Sequence, residues 1–231
     1  MIDLHSHVLF DIDDGAQTIE DSLAILARAE KLGVKAMVAT PHFTIGDDVD
    51  EFVKKRTERI EAIKEEAEAA GINVKVLPGA EVYITDELFN ETDIKKLTLA
   101  ETDVILAEFK YHSVKAEAFL EYIDEMISQG VRVLVAHPER YSYLNNNMRL
   151  LEAILHRGVM LQVNAISLYE DSEEGDAARM MLKNNMAFAV SSDIHHASSR
   201  RLDAIAKLNE NERWKSVLYD NPLKLITHGR V

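Results

Sequence analysis

Histidines and carboxylates recur along this chain at places that point to metal chemistry. His5 and His7 stand two apart in Asp3-Leu4-His5-Ser6-His7. In an extended strand, residues two apart face one side, so the two imidazoles can converge on one ion. Asp13-Asp14-Gly15 follows. His42 comes after the run Val34–Ala39, Glu81 after Val74–Leu77, Glu108 after Val104–Ala107 and His137 after Val131–Ala136. Asp193 and His195 follow Ala187–Val190. Each short aliphatic run reads as a buried strand. At least six strand ends therefore carry a group able to bind metal. Imidazole and carboxylate without thiolate suit manganese, zinc or iron, and the nitrogen donors argue against magnesium or calcium alone. The candidates exceed the needs of one ion, so two or three ions are expected.

Taken singly, these residues say little. A lone His-x-His is common, and a strand-end carboxylate usually caps a helix or meets solvent. It is their joint placement at successive strand ends that carries the inference. His156, in the last turn before Gly158, complements a helix dipole, and His228 is expected to be an exposed terminal residue. His112 and His196 lie near the candidates in sequence and are candidates for supporting or substrate-facing roles.

The elements that must position these groups alternate regularly. Helical patterns span roughly 18–32, 49–70, 115–129, 147–157 and 173–185, with a further strand at Val159–Val163. Thr18 with Asp21 three residues on suggests a capped helix start. Gly33, Gly71, Gly130 and Gly158 each follow a helical run, where a C-terminal glycine is expected. Strand–helix alternation predicts an α/β fold with mostly parallel strands, a barrel rather than a doubly wound open sheet. In such a barrel the C-terminal strand ends share one face, where active sites are built. No dinucleotide or P-loop glycine pattern occurs. No break in composition divides the chain, so one domain over residues 1–231 is expected.

Composition excludes other classes. The 231 residues carry a formal charge of -14, which argues against a nucleic-acid surface built on Lys and Arg. An acidic protein can still bind a phosphorylated substrate where metals and a few arginines reverse the local field. The absence of cysteine excludes disulfides, thiolate zinc sites and a phosphocysteine intermediate. No apolar run approaches the ~18 residues of a membrane span, and the first residues lack a secretory pattern. A cytoplasmic protein without membrane insertion is the expectation.

The ordered set His5-Ser6-His7, Asp14, His42, Glu81, Glu108, His137 and Asp193-Ile194-His195 resembles the PHP (polymerase and histidinol phosphatase) superfamily. Asp13-Asp14-Gly15-Ala16, His137-Pro138-Glu139-Arg140-Tyr141, Ser192-Asp193-Ile194-His195 and Asn221-Pro222-Leu223-Lys224-Leu225 resemble one branch of it. That branch comprises the bacterial manganese-dependent tyrosine-protein phosphatases of capsule and exopolysaccharide control. The resemblance runs from His5 to Leu225 and is most specific in the His-Pro-Glu-Arg-Tyr segment. It implies a distorted barrel of seven strand–helix units and a trinuclear centre, with manganese first and iron or zinc as alternatives. His5, His7, Glu81 and Asp193 would hold one ion. Glu81 would bridge to a second, completed by Glu108 and His137, and Asp14, His42 and His195 would hold a third. Arg140 and Arg200 would grip the phosphate, with Arg201 as a substitute for Arg200. A phosphotyrosine protein, by resemblance a bacterial tyrosine kinase, would be the partner. The sequence departs from the branch at His196, at Lys110 and in the loop Phe43–Asp48, none of which is a proposed ligand.

The expected reaction is in-line attack on phosphorus by a water that the ions activate, with no phosphoenzyme. Three other readings stay open. One is a small-molecule phosphatase such as a histidinol-phosphate phosphatase, which would share the metal site. Another is a metal-dependent amidohydrolase, which would leave the arginines unexplained. The third is a barrel that binds metal without turnover.

Overall fold

A computed structural model describes residues 1–112 and 114–228, with the side chains of Asn90, Glu91 and His228 excepted. The expectation for His228 thus lies outside the described residues. Among the described residues nine strands form: β1 (Ile2–Ser6), β2 (Ala36–Ala39), β3 (His42–Phe43), β4 (Lys75–Pro78), β5 (Glu81–Tyr83), β6 (Val104–Glu108), β7 (Arg132–Ala136), β8 (Met160–Asn164) and β9 (Ala189–Ser191). All the pairings are parallel. Helices α1 (Ile19–Lys31), α2 (Val49–Ala69), α3 (Leu88–Glu91), α4 (Ala116–Ser128), α5 (Ser142–Asn145), α6 (Met148–His156), α7 (Glu173–Lys183), α8 (Arg201–Asn209) and α9 (Asn221–His228) alternate with them. The five expected helices correspond to α1, α2, α4, α6 and α7.

Nine strands make seven staves of one ring. β2 and β3 are two halves of the second stave, interrupted at Thr40-Pro41, and β4 and β5 are two halves of the third, interrupted at Gly79-Ala80. The lower halves pair with β1 in the order β1-β2-β4, while the upper halves join β3-β5-β6-β7-β8-β9. The ring closes between β9 and β1: the Asp193 amide donates to the His5 carbonyl, the His7 amide to the Ile194 carbonyl, and Ser6 bridges Ile194. This is the distorted α/β barrel expected, and the distortion lies in the two broken staves. The break at Pro41 has a local reason, since proline has no N–H for the ladder. Gly79 has another. A Cβ there would stand 2.7 Å from Val38 Cγ1 and 2.9 Å from Leu99 Cδ2.

Among the described residues two apolar clusters form the core. Alternate strand residues, including Leu4, Val38, Leu106, Leu134 and Ala189, pack together inside the ring, with Leu225 of α9 among them. A larger cluster lies between strands and helices, with Ile25 and Leu26 of α1, Ile63 of α2, Phe119 of α4 and Ile154 of α6. The segment around Leu223–Leu225, one of the family-like motifs, thus supplies apolar residues to the ring interior. The Thr18 hydroxyl accepts from the Asp21 amide and the Asp21 carboxylate accepts from the Thr18 amide, a complete capping box. The four helix-ending glycines take φ between +73° and +89°, the left-handed geometry their positions require.

A bulge in β1 determines which residues meet the ring centre. Asp3 pairs with Met37 but Ser6 with Ala39, three residues against two. Leu4 therefore packs inside the ring, yet after the extra residue His5 and His7 also reach its centre. Above the apolar floor, the ring becomes polar.

Replacing Gly79 with alanine would press a methyl group between two fully buried side chains. We expect Gly79→Ala to cost about 1–3 kcal/mol, the usual range for overpacking. Thermal melts should show a midpoint lowered by roughly 2–4 °C per kcal/mol; an unchanged midpoint would mean that the break in the third stave is soft.

Candidate functional site

One end of the ring brings together all nine histidine and carboxylate candidates, with His42 and Glu81 opening the upper half-strands β3 and β5 and Asp14 in the loop after β1. Glu81 is at their centre, 1% exposed. Its Oε2 lies 3.1 Å from His5 Nε2, 3.3 Å from His7 Nε2 and 3.2 Å from His42 Nδ1. Its Oε1 lies 2.8 Å from His137 Nε2. Register explains part of this: His42 of β3 pairs directly with Glu81 of β5, and Tyr83 of the same strand pairs with Glu108 at the end of β6. Asp193 Oδ1 approaches His5 Nε2 at 3.5 Å and His7 Nε2 at 3.4 Å. Asp14 is exposed, and its Oδ1 lies 3.5 Å from both His42 Nε2 and His195 Nε2.

Among the described residues three groups have donor atoms close enough to share an ion: His5, His7 and Glu81; His42, Glu81 and Glu108; and His7, Asp14, His42 and His195. This division differs from the one implied by resemblance: Asp193 stands outside the first group and His137 outside the second, and two histidines reach more than one group. His7 joins the Asp14 group as well as the His5 group. His42 presents Nδ1 to Glu81 and Glu108 and Nε2 to Asp14, so it reaches two groups at once. His137 stands beside the second group, 3.8 Å from Glu108 Oε1.

A layer of partners aims these side chains, and most of it was not legible in the sequence. His7 Nδ1 donates to Asp13 Oδ2 at 2.6 Å, which also accepts from the His42 amide. Gly15 packs against His7 so closely that no side chain would fit, which accounts for the Asp-Asp-Gly motif. His5 Nδ1 donates to Gln162 Oε1 at 2.8 Å, and His195 Nδ1 donates to the Asp193 carbonyl at 3.0 Å. With Nδ1 engaged as donor, each ring turns the lone pair of Nε2 to the cluster, the arrangement a metal-binding histidine needs. The relay continues: Gln162 Nε2 donates to Asn164 Oδ1, and Asn164 Nδ2 donates to Asp193 Oδ2, at 2.9 and 2.8 Å. β8 thus carries none of the nine candidates but holds two of them in place. The alternation of Gln162 and Asn164 inside an apolar strand was the available signal.

The His-Pro-Glu-Arg-Tyr segment divides its work residue by residue. His137 has φ +31°, a left-handed turn that breaks the alternation of β7 and directs the imidazole to Glu81. Glu139 is fully buried, and its Oε1 accepts from the Asn164 amide and the Ser167 hydroxyl. Tyr141 is fully buried and its hydroxyl accepts from the Phe109 amide, tying the turns after β6 and β7 together. Arg140, between these anchors, faces a hollow of about 370 Å³ that Glu81, Glu108, His137 and Asp193 also line.

Arg200 stands at the N-cap position of α8 without a side-chain capping bond and lines, with Tyr169, Glu170 and Arg201, a second depression rather than the hollow. Arg201, one residue and roughly 100° further around the helix, lines the hollow, and its Nη1 lies 2.7 Å from Asp193 Oδ2. His196 is at the rim, whereas His112 lines a neighbouring depression. His156, in the last turn of α6, is exposed and distant from the hollow's lining.

The electrostatics are those of a charge cluster shielded from water. Burial alone would push the His5 imidazole down, but Glu81 and Asp193 outweigh it and hold its pKa up at about 9. His7 is likewise raised, against burial, by Asp13, Asp193 and Glu81. Burial likewise opposes ionisation of Glu81 and Asp193, yet the surrounding imidazoles keep both carboxyls well below the usual range. Burial, followed by the hydrogen bond to Glu108, pushes the Tyr111 phenol up and keeps it a donor. A divalent cation can replace protons in such a cluster, because its ligands bind deprotonated. The donor set of five imidazoles and four carboxylates fits borderline ions such as manganese, iron and zinc.

Known proteins place this arrangement. The family described as capsular polysaccharide synthesis, CpsB/CapC, matches residues 1–227. Tyrosine-protein phosphatase CpsB of Streptococcus pneumoniae is 29% identical over 98% of this chain and 98% of its own. Tyrosine-protein phosphatase YwqE of Bacillus subtilis is 31% identical over 87% of this chain and 79% of its own. A crystal structure from work on YwqE and CpsB, described as unique metal-dependent tyrosine phosphatases, superposes with a TM-score of 0.82 at 26% identity, covering 98% of this chain and 94% of that one. The phosphotriesterase of Mycobacterium tuberculosis, at 12% identity and a TM-score of 0.59 over 98% and 93% of the two chains, shares the fold. The chain therefore belongs to the CpsB/CapC family of capsular polysaccharide synthesis proteins.

Proposed function

We propose that this chain, as a single domain over residues 1–231, is a metal-dependent protein-tyrosine phosphatase that hydrolyses a phosphotyrosine protein of capsule or exopolysaccharide control. The observation that carries the reading is the sharing of one hollow by a many-donor metal cluster and two arginines. His5, His7, Glu81 and Asp193 would hold one ion, Glu81, Glu108 and His137 a second, and Asp14, His42 and His195 a third. His7 and His42 are each near enough to reach two of these positions. Manganese is the proposed ion and a bacterial tyrosine kinase the proposed partner, in the cytoplasm. No helix of the described residues is long and apolar enough to cross a membrane.

Bound divalent ions supply Lewis acidity and make water a nucleophile near neutral pH. The chain's own residues do the rest. Among the described residues the Arg140 guanidinium makes no hydrogen bond, and only Nη1 of Arg201 is engaged. Their free N–H groups are donors for the non-bridging phosphoryl oxygens, with a planar fork that lysine lacks. Gln162 and Asp13 keep Nδ1 of His5 and His7 protonated and Nε2 available. Water adds to phosphorus, the bond to the tyrosine oxygen breaks, and inorganic phosphate and tyrosine result. No thiol is present to take the phosphoryl group. A phenol leaves with a pKa near 10, so it needs less protonation than an alkoxide.

Chelator-stripped protein should release no phosphate from a phosphotyrosyl peptide, and titration with manganese, iron or zinc should restore release. Full activity after stripping would sink the reading. Faster turnover of histidinol phosphate than of the peptide would move the assignment to a small-molecule phosphatase. Arg140→Ala should lower kcat/KM by about 10- to 100-fold, the worth of a charge-assisted hydrogen bond, with metal content by elemental analysis unchanged; unaltered kinetics would remove Arg140 from the site. Gln162→Leu should raise the metal concentration needed for half-maximal activity by about 10- to 100-fold, and an unchanged requirement would show that His5 orients itself.

A further inference from the structure

Tyr111 stands on the wall of the hollow between two groups of opposite charge. It lies three residues beyond Glu108, in the turn after β6. Its hydroxyl donates to Glu108 Oε1 at 2.7 Å. Its ring lies 4.8 Å from the guanidinium carbon of Arg140, within cation–π range. The ring is itself stacked on Tyr141, with centroids 5.9 Å apart and planes 25° from parallel, and Tyr141 is fixed by the Phe109 amide. Tyr111 is therefore backed by a buried aromatic anchor.

Arg140 needs such a support. An arginine side chain carries about 2 kcal/mol of rotamer entropy. The carboxylate nearest it, Asp193, is 4.0 Å away at Oδ2, and that oxygen already accepts from Arg201 and Asn164. An aromatic face holds a guanidinium without occupying its edge, so the N–H donors stay free for an anion. At the other end, the phenol donates to Glu108 Oε1, the oxygen 3.8 Å from His137 Nε2, and so fixes the carboxylate with Oε2 3.9 Å from His42 Nδ1. One side chain thus orients a cation and a carboxylate on the same wall.

We propose that Tyr111 is a positioning residue that couples the anion grip of Arg140 to the aim of the Glu108 carboxylate. The inference rests on the reading of Arg140 as a phosphate-binding group and of Glu108 as a metal ligand. Its two halves separate chemically. Tyr111→Phe keeps the ring beneath Arg140 and deletes the bond to Glu108, whereas Tyr111→Leu deletes both.

The test measures two quantities on manganese-loaded protein: the metal concentration for half-maximal activity, and the inhibition constant of inorganic phosphate at saturating metal. Tyr111→Phe should raise the metal requirement by about 3- to 10-fold, in proportion to a lost orienting hydrogen bond, with the phosphate constant within about twofold of the original. Tyr111→Leu should raise the metal requirement similarly and also weaken phosphate by about 3- to 30-fold. In an Arg140→Ala background, Tyr111→Leu should shift the phosphate constant by less than about twofold, because the partner is gone. Equal phosphate constants for the Phe and Leu variants, an unchanged metal requirement in both, or full additivity with Arg140→Ala would each overturn the proposal. If Arg140→Ala alone leaves phosphate inhibition unchanged, the phosphate role of Arg140 falls, and the coupling with it. If Arg140→Ala weakens phosphate but Tyr111→Leu does not, only the coupling falls.

Discussion

A carboxylate shut away from water and surrounded by imidazoles is the interaction on which this molecule is organised. Glu81 meets His5, His7 and His42 through one oxygen and His137 through the other. Isolated, an ionised carboxylate at such a depth would be prohibitively costly. Its stability depends on the four rings around it, and theirs depends on it. That mutual dependence requires four separate staves to end at one height with their side chains turned inward, a condition a closed ring of parallel strands meets. The bulge in β1 and the breaks in the second and third staves are the local departures through which the strand ends meet that condition.

The hydrogen bonds behind the cluster are arranged in one direction. Gln162 can accept from His5 only through its oxygen, so its nitrogen must donate onward to Asn164, whose nitrogen must then donate to Asp193. Asp193 Oδ2 is satisfied by that amide and by Arg201, leaving Oδ1 toward His5 and His7. Each link determines the polarity of the next, so the chain admits one arrangement of donors and acceptors. Backbone geometry adds to this. His137 and Asp193 both have positive φ, at +31° and +54°, conformations that non-glycine residues hold only where surrounding contacts impose them.

Charge is distributed to the same purpose. The chain is strongly acidic as a whole, and the hollow sets Arg140 and Arg201 beside the histidines and four carboxylates, Asp14, Glu81, Glu108 and Asp193. Bound cations would reverse the local sign, so an anionic phosphoryl group could approach a protein that would otherwise repel it. The exposed glutamates of α2 belong to a solvated helix face, which keeps the negative charge away from the hollow's lining.

The nine cluster residues, the alternation of strand and helix and the capped start of α1 were all readable in the sequence, because they depend on local spacing: two residues for a strand, three for a capping box, one glycine for each helix end. The supporting shell was not. Gln162 and Asn164 look like polar interruptions of a strand until His5 and Asp193, 157 and 29 residues away, are brought beside them. Nor could spacing choose between Arg200 and Arg201, since one step along a helix turns a side chain by roughly 100° and only the packing of α8 determines which one meets the hollow. Tyr111 likewise acquires meaning from Arg140 and Glu108 together. Residue type and local period determined which groups could do the chemistry; long-range closure of the ring decided how they are aimed, because direction in space is a property of packing and not of any short stretch of chain.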